Sequence, residues 1–157
     1  MEIRAVDFGI LTKNFTGYID GKKNISDVRN TFIEKIQPVR KEMESIIAAA
    51  NSGIIMDEST QKIRYDKFQK LQEEAIGYDN EFKETMAKMN DELNKKTFKE
   101  LSDIINEWGK NNSIDLIMGK MEVVYLDDKY DATNDILSIL KEKNMFVEFK
   151  ETEKESV

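Results

Sequence analysis

The feature that most constrains the fold is a stretch of about fifty residues, from Asp57 to Lys110, with no proline and one glycine away from its end, Gly77. Apolar residues recur along it at alternating steps of three and four, which is the spacing of a coiled-coil seam. A helix with one narrow apolar stripe needs a partner of the same kind. The seam positions are Phe68, Leu71, Ala75, Tyr78, Phe82, Met86, Met89, Leu93, polar Thr97, Leu101, Ile104 and Trp108.

The partner is predicted to be a second helix that begins at Asn24, after a break at Gly17, Asp20 and Gly21. Pro38 lies inside this helix and is expected to bend it rather than end it, because the apolar period continues in phase on both sides. The two helices are predicted to form an antiparallel hairpin over residues 22–111, with its tip at 51–56. At about 1.5 Å per residue, the longer helix would form a projecting arm on a small body.

The body is predicted to come from residues 1–20 and 112–147, at the two ends of the chain. A short strand at 3–6 and one or two helical turns from Phe8 open it. Segments 114–118 and 122–126 read as two further strands, joined as a hairpin through Gly119-Lys120, and a final helix opens at 131–133. The predicted class is α+β, mainly α. The charged tail, 150–157, is expected to be disordered.

The composition excludes several kinds of function. Lys and Arg number 24 against 31 Asp and Glu, so the net charge of -7 disfavours binding to nucleic acid through a basic face. The chain has neither Cys nor His, which removes thiol chemistry, imidazole catalysis and the usual zinc ligands. We therefore expect no enzyme activity, no cofactor and no metal. Acidic pairs such as Glu73-Glu74 and Asp127-Asp128 are interpreted as solvated, because paired carboxylates need a cleft to do acid and base chemistry.

The location of the protein is left open by the sequence. No apolar run reaches the roughly 18 residues of a membrane span, so direct membrane insertion is not expected. Met1 leads straight into a strand-like segment rather than a basic and apolar leader. A periplasmic protein is expected if a leader was removed, and a cytoplasmic one otherwise.

Three strands and one helix make a poor core for a single chain, so the bodies of several chains are expected to share one sheet. Packing in this shared body is the interpretation for Trp108 and Tyr125. The residues assigned to the body interface are Ile3, Val6, Phe8, Leu116, Ile117, Val123, Val124 and Tyr125.

The order of elements and two sets of residues resemble the Skp/OmpH family of periplasmic chaperones. The family opens with a strand and a first helix, and closes with an Asp-Leu strand, a Val-x-Tyr strand and an Asp-x-Thr helix start followed by a Val/Ile-Leu pair. The matching residues here are Ile3-Arg4-Ala5-Val6-Asp7-Phe8 with Leu11, then Ile114-Asp115-Leu116-Ile117, Val123-Val124-Tyr125, Asp131-Ala132-Thr133 and Asp135-Ile136-Leu137.

The resemblance implies a homotrimer with a small β-sheet body and three helical-hairpin arms around a cavity. In that family the cavity holds unfolded outer-membrane proteins without ATP. Well-known members have basic arms, whereas the arms here mix both signs, so different clients, or none, are expected. The predicted client-binding residues, at the upper inner arm and tip, are Met43, Ile46, Ile47, Ile54, Ile55 and Met56.

Two interpretations of the function therefore stand side by side. One is an ATP-independent holdase for unfolded or partly folded proteins. The other is a structural or assembly protein, of a bacterium or a phage, whose arm docks onto a fixed partner through the tip. For the three apolar tip residues Ile54, Ile55 and Met56, a further interpretation is a local cap that packs on Ile47 and Ile63.

Overall fold

The computed structural model describes residues 1–150 and divides into two compact units. The terminal unit combines Met1–Lys23 with the chain from Asp91 onward, and the hairpin unit is Asn24–Asn90. Along the chain the elements are β1 (Ile3–Val6), α1 (Phe8–Lys13), α2 (Thr16–Asn51), α3 (Glu58–Asn111), β2 (Leu116–Gly119) and α4 (Thr133–Glu142). The predicted α+β class, mainly α, is confirmed. All but the first residue of the predicted tail, 150–157, lie outside the described part of the chain.

The hairpin unit is held together along the predicted seam. Ile25, Phe32, Ile36 and Val39 of α2 are buried, as are Leu71 and Met86 of α3. The rings of Phe32 and Phe82 meet edge to face, with centroids 5.5 Å apart, so the apolar stripes of the two helices face each other. The interface is therefore narrow and apolar.

Ion pairs flank this seam and show that the two helices run antiparallel. Arg40 of α2 pairs with Asp79 of α3 at 3.8 Å, and Glu42 pairs with Lys67, so later positions in α2 meet earlier positions in α3. All four side chains are more than one third exposed. Because exposed pairs contribute about 0–1 kcal/mol each, most of the stability comes from the apolar contacts.

The predicted break before α2 is wrong. Helix α2 begins at Thr16 and includes Gly17, Asp20 and Gly21, eight residues earlier than expected. The glycines allow close packing instead of ending the helix. A Cβ on Gly21 would lie 2.2 Å from a methyl carbon of Leu93, and one on Gly17 would lie 2.7 Å from the Phe15 ring. The helix then continues without interruption through Pro38.

The core of the terminal unit forms where the two ends of the chain meet. Strands β1 and β2 pair in parallel, with Ile3 opposite Leu116 and Val6 opposite Gly119. The helices α1, α3 and α4 then cover this small sheet. The buried core residues are Val6, Leu11, Phe15, Leu101, Ile104, Ile105, Ala132, Ile136 and Leu140, and Trp108 packs against them as predicted.

The predicted hairpin through Gly119-Lys120 is also wrong. Strand β2 pairs with β1, and Lys120–Glu122 forms a 3-10 turn. Of the three predicted strands, the one at 122–126 is absent. A two-residue hairpin needs positive φ at its centre, but Gly119 is extended at φ -70° and Lys120 is not among the positive-φ residues of the described chain.

A partly buried polar cluster links the start of α4 to Asp7, the residue that follows β1. The Asp131 carboxylate accepts hydrogen bonds from the Thr133 N–H at 3.0 Å, from the Thr133 hydroxyl at 2.6 Å and from Lys120 Nζ at 2.6 Å. The Thr133 hydroxyl oxygen in turn accepts from the backbone N–H of Asp7, at 2.9 Å. The cluster joins three separate segments of the chain, through Asp7, through Lys120, and through Asp131 with Thr133, which explains why an Asp-x-Thr helix start is found here.

Burial alone would raise the pKa of the Asp131 carboxyl, but the hydrogen bonds from Lys120 and Thr133 outweigh it. They hold the pKa below its ordinary value of 3.8. The same pairing raises the pKa of Lys120, through its hydrogen bond to Asp131 first and the charge of Asp131 second.

Within residues 1–150, no helix combines the length with the apolar composition that a membrane span requires.

Replacing glycines at two helix positions should have opposite effects on stability. Gly77→Ala places a methyl group in open space on an exposed helix face and should raise the free energy of unfolding by about 1 kcal/mol. Gly21→Ala must displace Leu93 and should lower it. Urea unfolding followed by circular dichroism measures both. Equal stabilisation by the two variants would contradict the close packing at Gly21.

The Asp131 cluster predicts a pH-dependent contribution to stability. Because the folded state lowers the pKa of Asp131, its contribution is present above the unfolded pKa and is lost as pH falls through the folded value. Asp131→Asn should therefore cost about 1 kcal/mol at pH 7 and progressively less below about pH 4. Urea unfolding at several pH values tests this. Asp103→Asn, in an exposed helix ion pair, is the control and should change little at any pH.

Candidate functional site

The hairpin turns at Ser52–Asp57, and local hydrogen bonds shape this turn. Gly53 adopts a left-handed conformation at φ 73°, which glycine tolerates without strain. The Asp57 carboxylate caps α3 by accepting from the Thr60 N–H at 2.7 Å and from the Thr60 hydroxyl at 3.0 Å. These bonds, the backbone one first, lower the pKa of Asp57. The Gln61 side-chain amide donates to the Met56 carbonyl at 3.1 Å.

The turn presents apolar side chains that the hairpin unit does not bury. Ile54 is 70% exposed and Ile55 is 97% exposed. Ile47 and Ile63, on which the tip residues were expected to pack, are themselves largely exposed. The expected local cap is therefore wrong for Ile55, while Met56 is half-buried.

Beside the turn lies an open, mainly apolar cavity of about 550 Å³ between the end of α2 and the start of α3. Its volume lies within the range of about 300–1,000 Å³ typical of small-ligand sites. Residues from both helices and from the turn form its walls. They are Ile46, Ile47, Ala50, Ile54, Met56, Gln61, Arg64, Tyr65 and Phe68.

One wall of this tip cavity carries a positive charge in an unusual position. Counting back from Phe68 by the seam spacing places Arg64 at a seam position, where an apolar residue would be expected. Its Nη1 atom is buried and has no hydrogen-bond partner within residues 1–150. Leaving such a donor unsatisfied costs about 1–3 kcal/mol, and because Nη1 has almost no accessible surface, it lies against the protein and does not face the open cavity.

The structure brings together most of the predicted client-binding residues. Four of them line the tip cavity: Ile46, Ile47, Ile54 and Met56. Ile55 points into solvent, and Met43 is half-buried in α2 away from the cavity lining.

Sequence reasoning missed the wall supplied by α3, because the seam was counted from Phe68 onward. Extending the steps of three and four back through Arg64 to Gln61 would have found two of its residues. Tyr65 lies beside Arg64 and also lines the cavity.

The residues assigned to the body interface fall into two groups. In the first group, Val6 is fully buried, Ile117 packs against the core, and the ring of Phe8 stacks on that of Phe98 with centroids 5.4 Å apart. These three side chains therefore have their contacts within one chain.

The second group is more accessible. Leu116 is partly exposed, and in the segment that follows β2 Tyr125 is 81% exposed. Within residues 1–150 of a single chain, Tyr125 therefore does not pack against the body. Ile3 and Val123 are half-buried, and Val124 is fully exposed.

The acidic pairs singled out in the sequence have local partners. Asp127 caps a 3-10 turn by accepting from the Lys129 N–H at 3.1 Å. Glu74 accepts from the Tyr78 hydroxyl at 3.2 Å, and this bond raises the pKa of Tyr78. No group of three or more metal-ligating side chains is found among residues 1–150.

Comparison with known proteins agrees with this architecture. The family model described as "Outer membrane protein (OmpH-like)" matches residues 2–140. No curated protein matches the chain. The family acts in the periplasm in a chaperone-like, non-enzymatic role. Since the match spans nearly the whole chain, from β1 into α4, this protein belongs to the OmpH-like, or Skp-like, family.

Proposed function

We propose that this protein is an ATP-independent holdase that binds apolar segments of unfolded or partly folded proteins. The observation that carries the proposal is the apolar tip cavity, flanked by the exposed side chains of Ile54 and Ile55. Exposed apolar clusters in a chain this polar mark interaction sites, because they have an unfavourable contact with water that a partner removes. Family membership supports a chaperone-like role for this surface.

The chemistry of the tip suits reversible binding of many sequences. The cavity walls combine branched aliphatic, thioether and aromatic side chains, and Met56 is flexible enough to adapt to different shapes. Burial of one Ile or Met side chain contributes about 1.5–3 kcal/mol, so a few contacts give moderate affinity. A holdase must release its clients, and such contacts allow release.

We also propose that three copies assemble through the terminal unit and hold clients in a cavity between their hairpins. The support lies next to β2, whose outer edge has no strand partner in the described sheet. The segment after the 3-10 turn is β-prone and carries Val124 and Tyr125 in solvent. An open sheet edge beside an exposed β-prone segment is a site for pairing with another chain.

The clients proposed are outer-membrane-type proteins in the periplasm, which is the role that the family description supports. The net charge of -7 adds a preference among them. Clients with a positive charge near their apolar segments should bind faster than acidic ones, and high salt should reduce this difference.

The holdase proposal predicts that the tip is needed to suppress aggregation. The triple variant Ile54→Ser, Ile55→Ser, Met56→Ser should bind clients at least about tenfold more weakly, because each lost apolar contact contributes 1 kcal/mol or more. Light scattering of a β-barrel protein diluted from urea measures the effect. The matched control is Ile63→Ser with Ile76→Ser, two exposed apolar positions of α3 outside the cavity lining, which should protect like the unmodified protein.

Failure of the unmodified protein to delay aggregation of any client would contradict the holdase proposal. The second candidate, a docking protein of an assembly, is favoured by the same exposed Ile55. It would be supported if the triple variant lost one specific complex and no general protection.

The assembly proposal predicts a solution mass of about 55 kDa, three times the 18.3 kDa of one chain. Tyr125→Asp should shift the mass toward 18.3 kDa at low concentration, because it places a charge in the proposed interface. Light scattering across a dilution series measures the mass. Ile76→Asp, at an exposed position of the hairpin unit, is the control and should leave the mass unchanged. A folded monomer for the unmodified protein would contradict the assembly.

A further inference from the structure

The hairpin unit contains a second apolar cavity besides the one at its tip. This second cavity has a volume of about 220 Å³ and lies between α2 and α3, where Phe32, Tyr78 and Phe82 supply aromatic walls. It is open to solvent, and Ile33 in its wall is 47% exposed. An apolar cavity of about 150 Å³ can take up benzene, so the second cavity is large enough for one aliphatic or aromatic side chain.

The two cavities lie on the same side of the seam. Residues seven positions apart share one face of a helix in this kind of packing. On α2, Ile33 and Arg40 line the second cavity, and Ile47 lines the tip cavity. On α3, Tyr65 lines the tip cavity, and Asp79, two heptads later, lines the second cavity. The ion pair between Arg40 and Asp79 joins these two helix faces, so both cavities belong to one side of the hairpin unit.

The opposite side of the seam is charged. Glu42 follows Arg40 by two residues, or about 200° around the helix, and pairs with Lys67 of α3. One heptad before Glu42 lies Lys35, and one heptad after Lys67 lies Glu74, both of them exposed. An apolar segment that covered these side chains would remove their hydration without replacing it. An apolar partner therefore favours the side that carries the two cavities.

The distance between the cavities selects the shape of a segment that can fill both. On α2 their lining residues lie within 32–40 and 46–50, and on α3 within 78–82 and 61–68. The centres of these ranges are about 12 and 15 residues apart, which at 1.5 Å per residue corresponds to roughly 18–23 Å. An extended chain advances about 3.3 Å per residue and directs every second side chain to the same face. Side chains about six residues apart therefore share a face and lie roughly 20 Å apart.

We propose that this side of the hairpin unit binds an extended client segment in which apolar and polar residues alternate, with apolar side chains six residues apart in the two cavities. Such alternation over about 9–11 residues is typical of strands that span the outer membrane. The inference rests on the proposed holdase function and names the sequence pattern that it recognises. The tip cavity alone binds any apolar side chain, whereas the second cavity makes binding depend on the spacing between two of them.

The test compares three fluorescent eleven-residue peptides of identical composition, each with two Phe in a background of Ser and Thr. Fluorescence polarisation measures their binding to the full chain. The two Phe are six, five or two positions apart. Only the first spacing places both rings on one face at the distance between the cavities. The first peptide should bind about tenfold or more tightly than either of the others, because it buries a second aromatic side chain.

Two variants test which side of the seam binds the peptide. Ile33→Asp places a charge in the wall of the second cavity and should reduce binding of the six-spaced peptide to that of the two-spaced peptide. Ile63→Asp is the matched control, because Ile63 is an exposed isoleucine outside both cavity linings and lies four residues before Lys67, on the charged side. It should leave the preference for the six-residue spacing intact. Circular dichroism checks that both variants remain folded.

Each other outcome would overturn the inference. Equal binding of the three peptides, or no effect of Ile33→Asp on the six-spaced peptide, would show that the cavities do not act together. An equal loss with Ile63→Asp would exclude the assigned side, and absence of binding by all three peptides would remove the site. The aggregation assay distinguishes these failures from failure of the holdase function, because protection of a client through the tip does not require the second cavity.

Discussion

The hairpin unit depends on the pairing of two apolar stripes that are each too narrow to be buried alone. Within the hairpin unit, the buried apolar residues of α2 and α3 face each other along the seam, and the ion pairs beside the seam are exposed and contribute little. Phe32, Ile36 and Leu71 are buried because the antiparallel partner covers them. The covering helix ends at the turn, so apolar residues there lose their partner. The open cavity at the tip is a direct result of where the seam stops.

The same constraint explains which parts of the fold were predictable. The spacing of apolar residues predicted both long helices, and turn and capping residues predicted the position of the turn and the start of α4. These features depend on the local sequence. The missing strand at 122–126 is different, since whether a β-prone segment pairs depends on an edge elsewhere. The sequence shows that Val123 and Tyr125 are residue types that favour a strand. It does not show that the Lys120 side chain donates a hydrogen bond to Asp131, which lies beyond this segment.

Two glycine positions were misinterpreted for a related reason. Gly17 and Gly21 look like helix breakers in a sequence, but in the fold they leave room for Phe15 and Leu93. Each glycine was interpreted by the average behaviour of its residue type, whereas the neighbouring side chain decides what it does. Arg64 was not singled out in the sequence, because the seam was counted from Phe68 onward.

The parallel pairing of β1 with β2 has a consequence for how the protein is made. The hydrogen bond from the Glu2 N–H to Asp115 joins residues 113 positions apart, and both helices lie between them. At about 5–20 residues per second, β1 exists for roughly 6–23 s before its partner strand has been synthesised. During that time Val6 and Leu11 have no core to enter. The hairpin unit can form once its two helices are present, whereas the terminal unit cannot form until α4 has been synthesised.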